Sequence, residues 1–389
     1  MIKTGLEMLL TQGERILRNR RVGVIANPSS VHRTLEHTVD LLFSSGFGRV
    51  TALFGPQHGA RGETQDNMIE WEDYRDSQTG LPVYSLYGTT RKPTGEMLKD
   101  VDVLVFDVPD VGSRYYTFIY TMALAMEACR ENGKAMIVLD RPNPINGIDL
   151  EGPVLDPDFR SFVGLFPLPI RHAMTIGELA LYFNRACGID CELEVVQMEG
   201  WHRSMFFEDT GLRWVLPSPN MPTPDTAVVY PGMCLFEGTN VSEGRGTTRP
   251  FELSGAPWIK PPDLVKMLDC QKLPGVYFRP AFYIPTFHKW AGQMVGGVQI
   301  HVTNRTVFKP FLTGLALLMA YRQLGGDQFQ WKQPPYEYEY EKLPFDILCG
   351  TDRIRRQIET GDSLSSIESS WVEETESFRD VRQEFLLYE

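Results

Sequence analysis

The stretch "DVDVLVFDVPDVGSRYYTF" (Asp100–Phe118) decides how the chain folds. Its centre is a near-continuous apolar run bounded by aspartates, the pattern of a strand buried on both faces. A glycine turn follows at Gly112. Arg114, Tyr115 and Tyr116 then open the apolar stretch 117–134, which reads as a helix closed by Asn132-Gly133. A buried strand running through a tight turn into a helix is the repeating unit of a parallel α/β sheet.

Working outward, "RVGVIAN" (21–27), "RVTALFG" (49–55), "LPVYSLYG" (81–88) and "AMIVLDRPNP" (135–144) read as four further strands. A helix over 37–47 separates the first two. The start, "MIKTGLEMLLTQGERILRNRR", is an amphipathic helix with Leu6, Leu9, Leu10 and Ile16 on one face. Strands alternating with helices, without internal repeats, predict an α/β, Rossmann-like, doubly wound and mostly parallel sheet over residues 1–145.

Beyond residue 145 the texture changes, and 146–389 is expected to form a second, smaller α+β domain with a cleft between the two. A chain of 389 residues exceeds the size at which single cores stop growing. Residues 167–188 hold a helix with a capping box, Thr175 and Glu178. The stretches 191–201 and 295–304 read as strands and 307–325 as a long apolar helix, and the chain ends in a helical tail. The tract 217–257 is dense in Pro, Gly, Ser and Thr with little periodicity, and a loop that long is more often functional than idle.

The net charge of −12 argues against a general nucleic-acid or anionic-membrane binder. The six cysteines form no CxxC pair, which fits reduced thiols better than a zinc site. No secretory signal opens the chain, and no window approaches the ~18 apolar residues of a membrane span. The expectation is a cytoplasmic protein acting on a small-molecule or oligosaccharide substrate, with no nucleic-acid or membrane partner.

Ligands of open α/β sheets bind beyond the carboxyl ends of the strands. The strand tips here are polar: Asn27, Gln57-His58, Tyr84-Ser85, Asp107 and Asp110, and Asp140-Arg141. Five polar tips are expected to converge on one crevice, unless each caps its neighbouring helix. Four constellations stand out. In "FGPQHGARGETQDNMIE" (54–70), His58 sits between Gln57 and Gly59, Asn67 adds an amide, and Glu63, Asp66 and Glu70 can supply an acid and a base or nucleophile. In 107–118, Asp107 and Asp110 precede Arg114, a carboxylate clamp, and Tyr115 and Tyr116, which can stack on a sugar. In "LDRPNPINGIDLEGP" (139–153), a stiff Pro-Asn-Pro turn presents Asp140, Arg141 and Asn143. In 217–257, Asn220, Glu237, Asn240, Glu243, Arg245, Thr247 and Arg249 crowd a stretch where Gly244 and Gly246 flank Arg245. Two lone histidines, His172 and His288, are weaker ligand candidates. No P-loop and no GxGxxG fingerprint occurs, which weighs against a nucleotide cofactor.

Together the blocks "GPQHG", "QDNM", "LYG", "DVGSRYYT", "LDRPNP", "EGP", "PSPNMPT", "YPG" and "FEGTNVSEGRGTTRPFE" resemble the signature of the exo-β-N-acetylmuramidase (NamZ-like) family, in the same order from Gly23 to Gly255. The resemblance implies a Rossmann-like N-terminal domain, a smaller C-terminal domain, and release of N-acetylmuramic acid from the non-reducing end of peptidoglycan fragments. It implies no metal or organic cofactor. Many members read Pro-Glu-His-Gly where this chain reads Pro-Gln-His-Gly. Gln57 thus occupies the place of a leading candidate acid, and an amide cannot donate a proton as a carboxylic acid does.

Glycoside hydrolysis usually needs two carboxyl groups, ~5–5.5 Å apart for retention and ~6.5–9.5 Å for inversion. The expected pair is Glu63 or Glu70 facing Glu243 or Glu237. If the substrate's own acetamido oxygen attacks, one acid suffices with Asp66 or His58 as orienting group. Arg245, Arg114 and Arg249 are candidates for the lactyl carboxylate, and Tyr115, Tyr116 and Trp290 for a sugar platform. Two other readings compete. One is a metal-dependent hydrolase built from His58, Asp66, Asp107, Asp110 and His172, although no HExxH-type spacing occurs. The other is a non-catalytic sugar binder, which Gln57 keeps open. The muramidase reading requires His58 and Arg245 to share one hollow.

Overall fold

The computed structural model describes residues 2–62 and 69–389. Its large sheet contains β1 (Arg21–Ala26), β2 (Arg49–Gly55), β3 (Tyr74–Arg75), β4 (Pro82–Ser85), β5 (Val103–Asp107), β6 (Ala135–Leu139) and β7 (Glu192–Val196), in the order β3-β4-β2-β1-β5-β6-β7. Of these pairings β3–β4 is antiparallel and the rest are parallel. The chain winds one way from β1 to β4 and the other way from β5 to β7, so the direction switches between β1 and β5. The α/β, doubly wound expectation holds.

The period of two explains the layers. Val103 and Val105 of β5 and Ile137 and Leu139 of β6 face one apolar cluster, shared with Leu6 and Leu9 of α1 (Gly5–Leu17) and Val39 of α2 (Thr38–Ser45). Their neighbours Leu104, Phe106, Met136 and Val138 face the opposite side, against α3 (Phe118–Glu131) and α4 (Ile176–Arg185). Both faces are covered, which is why these strands carry apolar residues without alternation. The Thr175–Glu178 capping box is present at the start of α4.

Three differences from the sequence expectation follow. First, β7 pairs with β6 and belongs to the large sheet, although its residues lie past 145. Second, the tract 217–257 holds α5 (Pro224–Met233) and β8 (Leu253–Ala256). From Thr226 onward every residue of α5 is buried, so the helix shows no amphipathic stripe to read. Third, α6 (Pro261–Asp269) and β9 (Val276–Tyr283) were not anticipated. The second sheet is antiparallel, β8-β10-β9, with β10 at Val295–Val302. It packs with α5, α6 and α7 (Pro310–Gly325).

Helices α5 and α7 cross with their backbones in contact. A Cβ on Gly232 would lie 1.9 Å from the Pro310 carbonyl oxygen, and one on Gly314 would lie 2.4 Å from the Gly232 oxygen. The apolar core is continuous from the α3–α4 face of the large sheet into this unit, through Tyr230, Phe236 and Leu315. That continuity fixes the second unit against the carboxyl edge of the first. No described helix is long and apolar enough to cross a membrane.

Candidate active site

A hollow opens where the two units meet, lined by residues of both. Gln57 and His58, on the turn after β2, form one wall. The turn is closed by the Gly59 amide on the Pro56 carbonyl (3.0 Å), and His58 has φ 72°. Tyr115, Tyr116, Thr117 and Phe118, at the start of α3, form the second. Thr117 Oγ1 donates to Gln57 Oε1 at 3.4 Å and ties the two walls together.

The opposite wall comes from the second unit. After Pro231 the helix α5 gives way to a 3₁₀ turn, Cys234–Gly238, and this turn delivers Glu237. Arg245 arrives between Gly244 and Gly246, both at φ 78°. A side chain on Gly246 would lie 2.6 Å from the Phe287 carbonyl, so only glycine permits this approach. Ser218 and Asn220 add polar groups. His58 and Arg245 therefore share one hollow.

A fourth wall was missed in the sequence. Residues 336–339 form a tight turn in which the Tyr336 and Glu339 amides each donate to the other's carbonyl at 2.9 Å. Its central residues, Glu337 and Tyr338, sit at φ 44° and 68°. Turns with two such residues favour Asn-Gly. Tyr336 and Glu337 line the cavity. The Tyr338 ring covers the Arg91 guanidinium at 4.2 Å, and Tyr87 lies at 4.4 Å. In the sequence this segment reads "PPYEYEYE", an alternation that suggests only a polar edge. The one available signal was the Tyr/Glu density behind two prolines.

The charges are unevenly paired. Burial works against ionised Glu237, but Arg245 Nη2 at 2.6 Å and the Tyr336 hydroxyl at 2.6 Å outweigh it and hold the carboxyl below its ordinary range. Glu243 lies behind the cavity, bonded to Lys289 Nζ at 2.7 Å and facing Arg245 Nε at 3.5 Å. Glu337 is 6% exposed and receives the Tyr87 hydroxyl at 3.3 Å. Burial, and next the nearby Glu237, push it up to about 7.

Several expected ligand residues face elsewhere. Arg114 is wholly buried and donates to the carbonyls of Pro153 and Leu168 at 2.9 Å each and of Leu348 at 2.7 Å, so it holds loops together. Asp107 receives Arg141 Nε and Nη2 at 2.6 and 2.7 Å and the Thr38 hydroxyl, which clamps β5, β6 and α2. His172 bonds Asp110 Oδ2 at 3.0 Å. Asn143 bridges the Met174 carbonyl and the Ile145 amide. Asn240 joins the Gln328 carbonyl and the Gln330 amide, and its own carbonyl receives the Trp290 indole. Thr247 bonds the Gly244 carbonyl within its turn, Arg249 pairs with Glu252, and His288 is exposed. Glu70 is exposed, bonded to Arg91 at 3.3 Å and Tyr338 at 3.2 Å. Glu63, Asp66 and Asn67 lie outside the described residues.

The polar strand tips thus do not converge on one crevice. Asp110 and Arg141 line a separate hollow of about 580 Å³ at the β1–β5 switch, walled by Pro109, Pro142, Pro144 and Trp214. Asn27 and Asp140 are consumed by internal hydrogen bonds. Among the described residues no three His, Cys, Asp or Glu side chains come together as a metal-binding group. Of the set His58, Asp66, Asp107, Asp110 and His172, Asp110 and His172 meet as a pair that no third described ligand joins, and Asp66 lies outside the described residues.

Comparison with known proteins agrees with this architecture. Residues 22–225 match the family model described as exo-beta-N-acetylmuramidase NamZ, N-terminal, and residues 228–388 its C-terminal counterpart. The chain is 48% identical over 387 residues to the peptidoglycan beta-N-acetylmuramidase NamZ of Bacillus subtilis (strain 168), covering 100% of this chain and 91% of that protein. Two crystal structures of DUF1343 family proteins from Bacteroides fragilis NCTC 9343 superpose over 100% of this chain and 99% of their own. One has a TM-score of 0.90 at 38% identity, the other 0.79 at 30%. With both halves matched in order, and the cavity formed where those halves meet, the chain belongs to the NamZ exo-β-N-acetylmuramidase family.

Proposed function

We propose that this protein is an exo-acting glycoside hydrolase that releases N-acetylmuramic acid from the non-reducing end of peptidoglycan fragments. The observation that carries the reading is the shared cavity, which joins Gln57 and His58 from the sheet rim to Glu237 and Arg245 from the glycine-flanked segment. A hollow walled from both units suits a terminal sugar better than the middle of a chain. Gln57, Ser218 and Asn220 offer the neutral hydrogen-bonding groups that sugar hydroxyls and an acetamido group require. Glu237, held ionised by Arg245 and Tyr336, faces the positive charge that develops at the anomeric carbon.

The test is incubation with a chromogenic N-acetylmuramide, with free N-acetylmuramic acid identified by chromatography. Turnover by the wild type, reduced about 10²-fold or more in Glu237→Gln, is the expected outcome. Gln57 supports one second reading, a sugar-binding protein without turnover. Binding measured by calorimetry in the absence of any released sugar would favour that reading over the enzyme.

A further inference from the structure

Resting on the muramidase reading, we propose that Glu337 is the acid that protonates the departing glycosidic oxygen. Of the residues lining the cavity, Glu237 and Glu337 bear carboxyl groups. Their surroundings differ in the way an acid and an ionised partner require. Glu237 is bonded to a guanidinium and a phenol. Among the described residues Glu337 is bonded to no cation and receives the Tyr87 hydroxyl.

The cations near Glu337 are committed elsewhere. Arg245 is engaged by Glu237. Arg91 lies over Tyr87 and Tyr338 and donates to the Gly88 carbonyl at 2.6 Å and to Glu70. Among the described residues, the other titratable groups around it are Tyr336, Tyr338 and Glu339 on its own turn, His58 across the cavity, and Glu70 and Arg160, which line a second hollow with it. Burial in this setting favours the neutral carboxyl near pH 7. Pairs of carboxyls whose environments push them apart mark acid and base assignments.

The backbone supplies an independent argument. Glu337 and Tyr338 occupy left-handed positions that favour asparagine and glycine. Such strain persists where the surrounding structure demands it, and it clusters at active sites. Three of the turn's four side chains are used: Tyr336 holds Glu237, Glu337 lines the cavity, and Tyr338 covers Arg91.

The chemistry balances without a further reactant. The bond from the anomeric carbon to the aglycone oxygen breaks, its electron pair leaves on that oxygen, and the oxygen takes the Glu337 proton. Water then supplies the oxygen that ends on the anomeric carbon and returns a proton to the Glu337 carboxylate.

The experiment compares wild type, Glu337→Gln and Glu337→Asn on two N-acetylmuramides, one with a dinitrophenol leaving group and one with a sugar aglycone. A dinitrophenolate departs without protonation, whereas a sugar alkoxide does not. Both variants should lose about 10³-fold in kcat/KM on the sugar aglycone and less than about tenfold on the dinitrophenyl compound. The wild type should show an activity loss above pH 7 on the sugar aglycone alone. Glu337→Asn, which suits the left-handed backbone, should melt at or above the wild-type temperature. Equal losses on both substrates, or full activity on the sugar aglycone, would overturn the assignment. A wild type inactive on both substrates would instead sink the muramidase reading itself.

Discussion

Arg114 carries a charge into the interior and meets three carbonyl oxygens there, with no carboxylate among the described residues bonded to it. Replacing it with methionine keeps the bulk and leaves those carbonyls dry, at about 1–3 kcal/mol each. Arg114→Met should therefore lose about 3 kcal/mol or more, read as a lower urea midpoint, while the folded fraction keeps its KM. The sequence could not separate this role from a substrate clamp. Both require an arginine beside tyrosines at a helix entrance, and only the partner differs. Asp107 and His172 were ambiguous for the same reason, since a polar residue at a strand tip can serve a ligand or a neighbouring loop. Glu337 shows the reverse error: an alternation of tyrosine and glutamate resembles a wetted edge, and its strained backbone is invisible in the letters.

At the scale of elements, legibility followed solvent contact. Helix α1 shows its stripe because one face is wet, and α4 announces itself through the Thr175–Glu178 box. Strands β1, β2, β5 and β6 were found because double burial leaves long apolar runs, whereas the two-residue β3 leaves no such run. Helix α5 was missed because burial on all sides erases periodicity, and Pro231 within it reads as a breaker. Its packing has a measurable consequence. Gly314→Ala places a methyl 2.4 Å from the Gly232 carbonyl, and the two helices must part. The cost should be about 3 kcal/mol, seen as a lower melting temperature. Because α5 leads directly into the turn bearing Glu237, kcat/KM should fall along with it, unlike the response to Arg114→Met.

Over the whole molecule, buried carboxyls set the pH dependence of stability. Asp140, Glu151 and Glu337 are each pushed up to about 7, chiefly by burial. Their folded values exceed the unfolded ones, so the fold holds protons that the unfolded chain releases above about pH 4.5. Their contribution is complete below that pH and is lost as pH rises through 7. Glu7, Asp76 and Glu237 shift the other way, and their stabilisation is lost below the ordinary carboxylate range. His37, lowered by burial, also costs stability on acidification through its ordinary range. The melting temperature should accordingly be higher at pH 5.5 than at pH 8, and Glu337→Gln should narrow that difference by stabilising the protein at pH 8. A wild type more stable at pH 8 would contradict this assignment of the buried acids. The pairing of an α/β sheet with a second unit was legible from texture. The cleft between them and the meeting of His58 with Arg245 were expected as well, but the wall at Tyr336 and Glu337 was not, because no local pattern encodes a contact across a separation as long as that from residue 57 to 337.

That separation also governs how the pocket comes into being. Neither half of the chain encloses a sugar by itself, so a nascent polypeptide is inert until the turn at Glu337 has left the ribosome and docked beside Tyr87. A bound sugar then behaves as mortar between the halves, tightening the molecule as one unit, and calorimetry should show a single, ligand-shifted melting peak where loosely tethered domains would give two.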